Sequence, residues 1–396
     1  MSVGHSSNHP KAGEWFHTRM SRVDRRTLLL AAGAALAGGC TAQPAPPAAK
    51  PTLAPTVTST GTGRKVNRPG DPKAKPDAHK ILAWMNALPQ RDSKRVVAGQ
   101  QLSADARADY EKLFRGMTRR FGKTPALIGA SFDGYWKRET IPVLIDHWRA
   151  GGLVTMELHR PNPFLPKVDP ESYRGDLWAP KGDLSSLLAD AKPSPARNRW
   201  RKDVELLGDI IQELDEAGVT LILRPFHEAN GIWFWWGQDY KTGKSDSIKL
   251  YRDLYTYLTE TRDLHNILWA FSPARPWDGP RMRYYPGDDI IDIMGPTSYL
   301  NTVSFAVEGQ AEDISDMLAP ERPMALLEVG SGEPFDGSWK STEIIDKIRT
   351  RYPQMTMFNC WHGWVDAKVA LIEVSETDKL MNDPWVMSLE NIDWRG

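Results

Sequence analysis

The sequence predicts an α/β fold, a (β/α)8 TIM barrel, from three observations. Short apolar runs recur about eight times, helical patterns or long loops separate them, and polar residues able to do chemistry fall at the ends of the runs. Strand–helix alternation repeated in this way closes a parallel barrel, whose chemistry sits at the C-terminal ends of the strands. Strands are expected over 95–100, 127–132, 153–159, 220–227, 267–272, 291–299, 324–329 and 355–361. Residues 203–214, 247–261 and 341–349 carry apolar side chains at three- and four-residue spacing, the mark of a helix with one buried face. Residues 276–288, between the fifth and sixth strands, are too rich in Pro and Gly for a full helix.

The N-terminal part does not belong to the barrel. Asp24-Arg25-Arg26-Thr27-Leu28-Leu29 is a twin-arginine pattern, and an apolar run of small residues follows it, ending at Cys40. That run is too short to span a membrane and fits an export signal. Leu36-Ala37-Gly38-Gly39-Cys40 is similar to a bacterial lipobox, with Leu36 one residue further from the cysteine than usual, so lipid attachment at Cys40 is expected. Ordinary signal cleavage nearby is the alternative. Either route predicts an extracellular or cell-surface protein, touching a membrane only through a lipid on Cys40. Residues 41–78 are rich in Pro, Ala, Thr and Lys and poor in large apolar side chains. They read as a disordered tether. Residues 79–396 are then one catalytic domain, long enough to bury a large core.

Charge excludes one class of partner. The chain holds 50 Lys and Arg against 50 Asp and Glu. Residues 1–80 take 12 of the basic and 4 of the acidic residues, which leaves 38 against 46 in the remainder. A mildly acidic body argues against a nucleic-acid surface and is compatible with a neutral polysaccharide. Cys40 and Cys360 are the two cysteines. With Cys40 acylated or removed no disulfide is available, and Cys360, inside an apolar run, reads as a small buried residue.

The most informative stretch is Arg224-Pro225-Phe226-His227-Glu228-Ala229-Asn230-Gly231-Ile232-Trp233-Phe234-Trp235-Trp236-Gly237, directly after the apolar run that ends at Leu223. It joins a strand-end carboxylate to a cluster of indoles. Carboxylates do acid–base work, and indole faces stack on sugar rings. A second strand, ending Leu327-Glu328-Val329-Gly330, carries another carboxylate. Two such groups are the minimum for breaking a glycosidic bond. A purely structural reading makes Glu228 the ion-pair partner of Arg224. A zinc site at His227-Glu228 is excluded, because no second His follows at the spacing of a metal helix. No cofactor is expected.

These motifs resemble glycoside hydrolase family 26, whose members are mostly endo-β-1,4-mannanases. The family's Arg-x-x-His-Glu strand end followed by Asn-Gly-x-Trp-Phe/Tyr is matched by Arg224, His227, Glu228, Asn230, Gly231, Trp233 and Phe234. Its Leu-Glu-x-Gly is matched by Leu327, Glu328 and Gly330. The resemblance spans roughly residues 80–396 and implies a retaining mechanism on a β-mannan-type polysaccharide, by a protein expected to be a monomer. It implies that Glu228 is the acid/base and Glu328 the nucleophile.

The same resemblance gives the binding residues. His159, in a loop start after strand three, is similar to a substrate-binding histidine. His227 would orient the nucleophile or contact sugar, and Tyr299 would hydrogen-bond the nucleophile. Trp233 and Trp361 are the candidates for stacking, whereas Trp235 and Trp236 fit core packing equally well. Arg224 or Tyr299 would keep Glu328 charged, and Trp233 with Trp235 would form an apolar wall raising the pKa of Glu228. Asp133 and Trp136, after strand two, are weaker candidates for a distal subsite. Family mannanases can carry Arg after the last strand's Trp, where it contacts a sugar on the non-reducing side; here the pair is Trp361-His362, so His362 is the candidate sugar contact there and a weaker one is expected. A β-1,3-xylanase or mixed-linkage glucanase of the same fold is the near alternative. A non-catalytic sugar-binding lipoprotein is the alternative from another class, and it has no need of two strand-end glutamates.

Overall fold

The computed structural model describes residues 67–396 except 168, 171, 173–180, 240–241, 276–279, 307–312 and 365. The twin-arginine run, Cys40 and most of the expected tether lie outside the described residues.

The body is a closed parallel barrel. Its strands are β1 (Val96–Gln101), β2 (Leu127–Asp133), β3 (Leu153–His159), β4 (Leu221–Arg224), β5 (Ile267–Phe271), β6 (Ile293–Met294), β7 (Thr297–Tyr299), β8 (Met324–Gly330) and β9 (Met355–Cys360), with a short β10 (Val386–Met387) alongside β1. All pairings are parallel, and β9 closes the ring by bonding both β8 and β1. Strands β1, β3, β8 and β9 are buried along their whole length. That is the pattern of a parallel sheet covered by helices on one face and filled by its own side chains on the other. Helices over Thr140–Arg149, Pro195–Glu216, Ser247–Thr256 and Thr342–Thr350 supply much of the outer layer. The longest starts on Ser194, whose hydroxyl accepts from the Arg197 amide, with Pro195 at its first position.

Three boundaries differ from the sequence expectation, each for a physical reason. Strand β4 stops at Arg224 rather than 227. Pro225 has no amide proton for a ladder, and Phe226 and Glu228 then adopt φ of 52° and 56°. The sixth barrel strand is split at Gly295-Pro296 into β6 and β7. Residues 70–78 are part of the body, not tether. The Gly70 amide donates to Asp292 Oδ1 at 2.7 Å, Asp71 Oδ2 lies 2.7 Å from His265 Nδ1, and a helix begins at Pro76. Polar clamps hold this segment, so its lack of large apolar residues hides it. Between β5 and β6 the chain makes a short 3-10 turn over Arg281–Tyr284 and no full helix among the described residues.

Candidate active site

Glu228 and Glu328 meet at the C-terminal end of the barrel. Glu328 lies inside β8, and its neighbour across the β7 pairing is Thr297. The Thr297 hydroxyl donates to Glu228 Oε1. Glu228 itself rides on the turn after β4, pinned by its amide, which donates to the Ser272 carbonyl beyond β5 at 2.6 Å. Trp233 Nε1 donates to Glu228 Oε2 at 2.7 Å. The positive φ at Glu228 is a sparsely populated conformation for a residue with a side chain, kept by these flanking bonds. Asn230 adds to them: its Oδ1 accepts from the Ala274 amide at 2.9 Å and its Nδ2 donates to the Ala274 carbonyl at 3.1 Å.

The two carboxylates sit in opposite environments. Burial pushes Glu228 up to about 7, the Glu328 charge adds to the rise, and the Thr297 and Trp233 donors offset part of it. Such a group holds a proton near neutrality. Glu328 has cationic and hydroxyl donors instead. Arg224 Nη2 lies 2.5 Å from its Oε2, and Tyr299 Oη donates to its Oε1 at 2.9 Å. Burial opposes the charge on Arg224, but Glu328 and Glu157 outweigh it and hold its pKa above the ordinary value. Tyr299, raised by burial and by the Glu328 charge, stays a neutral donor. The guanidinium of Arg224 goes to Glu328 and Glu157, and not to Glu228 as a purely structural reading of the sequence would have it.

The aromatic cluster divides into floor and core. Trp233 is half-buried and hydrogen-bonded to Glu228. Trp235 and Trp236 are buried. Trp235 Nε1 donates to the Arg160 carbonyl and Trp236 Nε1 to the His227 carbonyl, both at 2.8 Å. Trp235 therefore packs into the core, against Trp200 at 5.6 Å between ring centroids. Phe234 stacks on Trp236 at 4.4 Å and meets His159 and His227 edge-on. Lys181 Nζ donates to the carbonyls of Ile232 and Phe234, tying the loop down.

His227 is buried, with 1% exposure, so it cannot reach sugar directly. Its Nε2 lies 3.1 Å from Nε2 of His159. Burial, His159 and Arg224 all lower its pKa well below the usual range, so the ring is neutral. One of two facing nitrogens has to donate and the other accept. His159 Nδ1 lies 3.3 Å from Ser131 Oγ and 3.5 Å from Glu157 Oε1, and the ring contacts Trp361 edge-on. Trp361 is half-buried at the end of β9, and His362 stacks on it at 5.0 Å with 28° between planes. Asp133 and Trp136 flank the same rim: Asp133 pairs with His159 in the sheet, and Trp136 packs on Phe132. Cys360 is a free, buried thiol, pushed upward by burial. Among the described residues no group of three or more His, Cys, Asp or Glu is placed to hold a metal ion.

Two residues of the site escape a reading of the motifs alone, Thr297 and Glu157. Glu157 had a signal: Thr155, Glu157 and His159 alternate along a strand that is buried throughout, so polar groups repeat on one face of it. Thr297 follows the Gly295-Pro296 break, which gives no hint of chemistry.

Comparison with known proteins agrees with this geometry. The sequence profile of glycosyl hydrolase family 26 matches residues 70–391. A mannan endo-1,4-β-mannosidase of Bacillus subtilis is 30% identical over 83% of this chain and 90% of its own length. The mannan endo-1,4-β-mannosidase A and B of Caldalkalibacillus mannanilyticus is also 30% identical, over 82% of this chain, which spans 63% of that relative. A solved Bacillus subtilis mannanase superposes with a TM-score of 0.68 at 24% identity, over 82% of this chain and 96% of that one. A β-mannanase from a protist symbiont of the termite Reticulitermes speratus, solved with a gluco-manno-oligosaccharide, gives 0.61 at 21% identity, over 83% and 98%. A barrel with two buried glutamates converging on one end, matched by this profile over most of its length, is a glycoside hydrolase: the chain belongs to glycosyl hydrolase family 26.

Proposed function

We propose that the chain is a mannan endo-1,4-β-mannosidase that cleaves internal bonds of mannan, glucomannan or galactomannan with retention of configuration. The observation that carries the reading is the split environment of the carboxylate pair: Glu228 raised to about 7, and Glu328 held by Arg224 and Tyr299. The names of the relatives supply the mannan.

In this reading Glu328 attacks the anomeric carbon while Glu228 gives its proton to the departing glycosidic oxygen. The ester that forms removes the negative charge of Glu328. Glu228, now ionised, takes a proton from water, which attacks the same carbon from the opposite side and frees Glu328. Trp233 and Trp361 offer half-buried indole faces to sugar rings. His159 binds sugar, and His227, from beneath, fixes its ring.

The test is release of reducing ends from carob galactomannan, with the anomeric form of the first product followed by NMR. A β-anomer formed first supports retention, and an α-anomer formed first overturns it. Faster turnover of barley mixed-linkage glucan than of mannan overturns the substrate. We further propose export by the twin-arginine pattern at Arg25-Arg26 and lipid attachment at Cys40. The sequence pattern supports both.

A further inference from the structure

Glu157 is a third buried carboxylate in the site, unused by the two-glutamate chemistry. It stands opposite Arg224 in the β3–β4 pairing, and both side chains are fully buried. Its Oε2 lies 3.4 Å from Arg224 Nη2, the same nitrogen that lies 2.5 Å from Glu328 Oε2. Gln101 Nε2 donates to both its oxygens, at 3.0 and 3.1 Å, and the Ser131 hydroxyl donates to Oε1. Asn359 Nδ2 in turn donates to Gln101 Oε1 at 2.9 Å. Gly129 leaves room for that arm, since a Cβ there would lie 1.9 Å from Gln101 Oε1. Side chains from β1, β2 and β4 thus converge on one carboxylate, with Asn359 of β9 holding the β1 arm.

One guanidinium charge is shared by two carboxylates in the resting protein. The covalent step changes that count. A Glu328 oxygen bonds to the anomeric carbon, the bond to the leaving sugar breaks, and the proton of Glu228 goes to the leaving oxygen. Glu328 is then a neutral ester, while Arg224 keeps its charge. A buried guanidinium without a counter-charge is strongly unfavourable. We propose that Glu157 is a positioning residue, the standing counter-ion of Arg224, which takes over the guanidinium while Glu328 is esterified and yields it when the ester is hydrolysed. The inference rests on the retaining reading above.

The surrounding charges agree with that role. Burial opposes ionisation of Glu157, but Arg224, His159 and Ser131 outweigh it and hold the carboxyl below its usual range. Asp133 on β2 is raised chiefly by burial and further by the like charge of Glu157, and His227, neutral, offers Arg224 no counter-charge. Glu228 loses its proton in the same step and the Arg224 charge favours its ionised form from a distance, but its hydrogen bonds go to Thr297 and Trp233, while the guanidinium pairs with Glu157 and Glu328.

The experiment follows both halves of the reaction with a 2-deoxy-2-fluoro-β-mannobioside bearing dinitrophenolate as leaving group, and reads the adduct by mass. Glu157→Gln is expected to form the adduct more slowly, by roughly tenfold or more, and to lose it faster in buffer, because only the ester state is left without its counter-ion. Glu157→Asp, which keeps the charge, is expected to recover part of both changes. Slowing of both steps alike, or no change in either, overturns the proposal and leaves Glu157 a packing residue. If Glu157→Gln shows no cooperative melting, the trapped wild-type protein decides by crystallography. Arg224 Nη2 is expected to close on Glu157 from 3.4 Å to hydrogen-bond range, about 2.7–2.9 Å. An unchanged or longer separation overturns the idea. If the wild type forms no adduct on Glu328 at all, the retaining reading itself has failed, a result distinct from the others.

Discussion

Thr297 pairs with Glu328 across β7–β8 and its hydroxyl donates a hydrogen bond to Glu228 Oε1, so a single residue links both halves of the carboxylate pair. The partner on the other oxygen is of a different kind. Trp233 Nε1 can only donate, so the Glu228 oxygen it holds, Oε2, stays the unprotonated one. A hydroxyl can turn and accept. The acid's proton therefore belongs on Oε1, where Thr297 serves the carboxylate as donor and the carboxylic acid as acceptor.

The pH profile follows from this arrangement. In the proposed mechanism Glu228 gives its proton in the first step, so kcat/KM on mannan is expected to fall as pH rises through about 7. Thr297→Val removes a donor that favours the charged form, and the basic limb is expected to move up by roughly one pH unit. A limb that stays in place or moves down in Thr297→Val shows that another group sets it.

The same group affects stability, with the opposite sense to an ordinary salt-bridged carboxylate. Its folded pKa, about 7, lies above the unfolded reference of 4.5. The folded state then binds more protons between those values, so this contribution is present below 4.5 and is lost as pH rises through about 7. Glu228→Gln is expected to raise Tm relative to the wild type above pH 7 and to give no gain near pH 4. Asp292, also pushed by burial to about 7, is common to both proteins and cancels in the difference. Equal Tm differences at both pH values contradict the burial account of Glu228.

The roles of the glutamates separate on an activated aryl glycoside. A good leaving group departs with little proton donation, so Glu228→Ala is expected to lose on the order of 10²–10⁴-fold on mannan but far less on the aryl substrate, and azide should restore part of its rate. Glu328→Ala is expected to be inactive on both. Equal losses for the two variants on the activated substrate overturn the assignment.

The barrel and its carboxylate pair were legible because they follow from local pattern. Apolar runs mark strands, and Glu228 and Glu328 fall at the ends of two of them. What the sequence hid depends on contacts far along the chain. Whether Trp235 faces sugar or core is decided by the Arg160 carbonyl 75 residues away. The pairing of Arg224 with Glu328 spans 104 residues; the sequence reading offered Arg224 or Tyr299 for that place, while a purely structural local reading gave Arg224 to Glu228. The end of β4 was read too long because apolar character continues into Phe226, while Pro225 and the left-handed turn end the ladder. Residues 70–78 looked like tether because polar atoms hold them.

That last point gives a stability prediction. Removing residues 1–66 is expected to leave Tm of the body unchanged. A cut at residue 78 breaks the Gly70–Asp292 and Asp71–His265 contacts and leaves the buried Asp292 with only its bond from the Trp269 amide on Oδ2. Losing a bond to a buried polar group costs about 1–3 kcal/mol, so Tm should drop by several degrees. Asp71→Ala alone should give part of the drop. If the cut at 78 melts with the longer form, these contacts are superficial.

Export makes a separate prediction. Changing Arg25 and Arg26 together to Lys is expected to leave unprocessed protein inside the cell. Cys40→Ala is expected to release the protein from the membrane fraction without altering turnover of mannan by the body. If labelled palmitate is never incorporated at Cys40, lipid attachment is wrong and secretion alone stands.

The final prediction concerns His362, which occupies the place after the last barrel strand's Trp. Its ring lies on the Trp361 face at 5.0 Å, and its Nδ1 is 2.7 Å from the Gly363 carbonyl, so Nδ1 carries a proton and donates it there. Nε2 is then the one ring nitrogen left for a sugar hydroxyl. An arginine at this position offers five donors in a fork and can stack on the same indole. Binding one residue beyond the cleaved unit on the non-reducing side is therefore expected to be weak, with longer oligosaccharides needed for good turnover. A hydrogen bond to a sugar hydroxyl contributes about 0.5–1.5 kcal/mol, so one such bond changes kcat/KM on short oligomers by up to about tenfold. His362→Arg is expected to raise kcat/KM on mannotriose by that order and to change little on long mannan, where distant contacts already hold the chain. If the ratio of the two rates stays as in the wild type, His362 does not face the sugar path, and the weakness on short substrates has another origin.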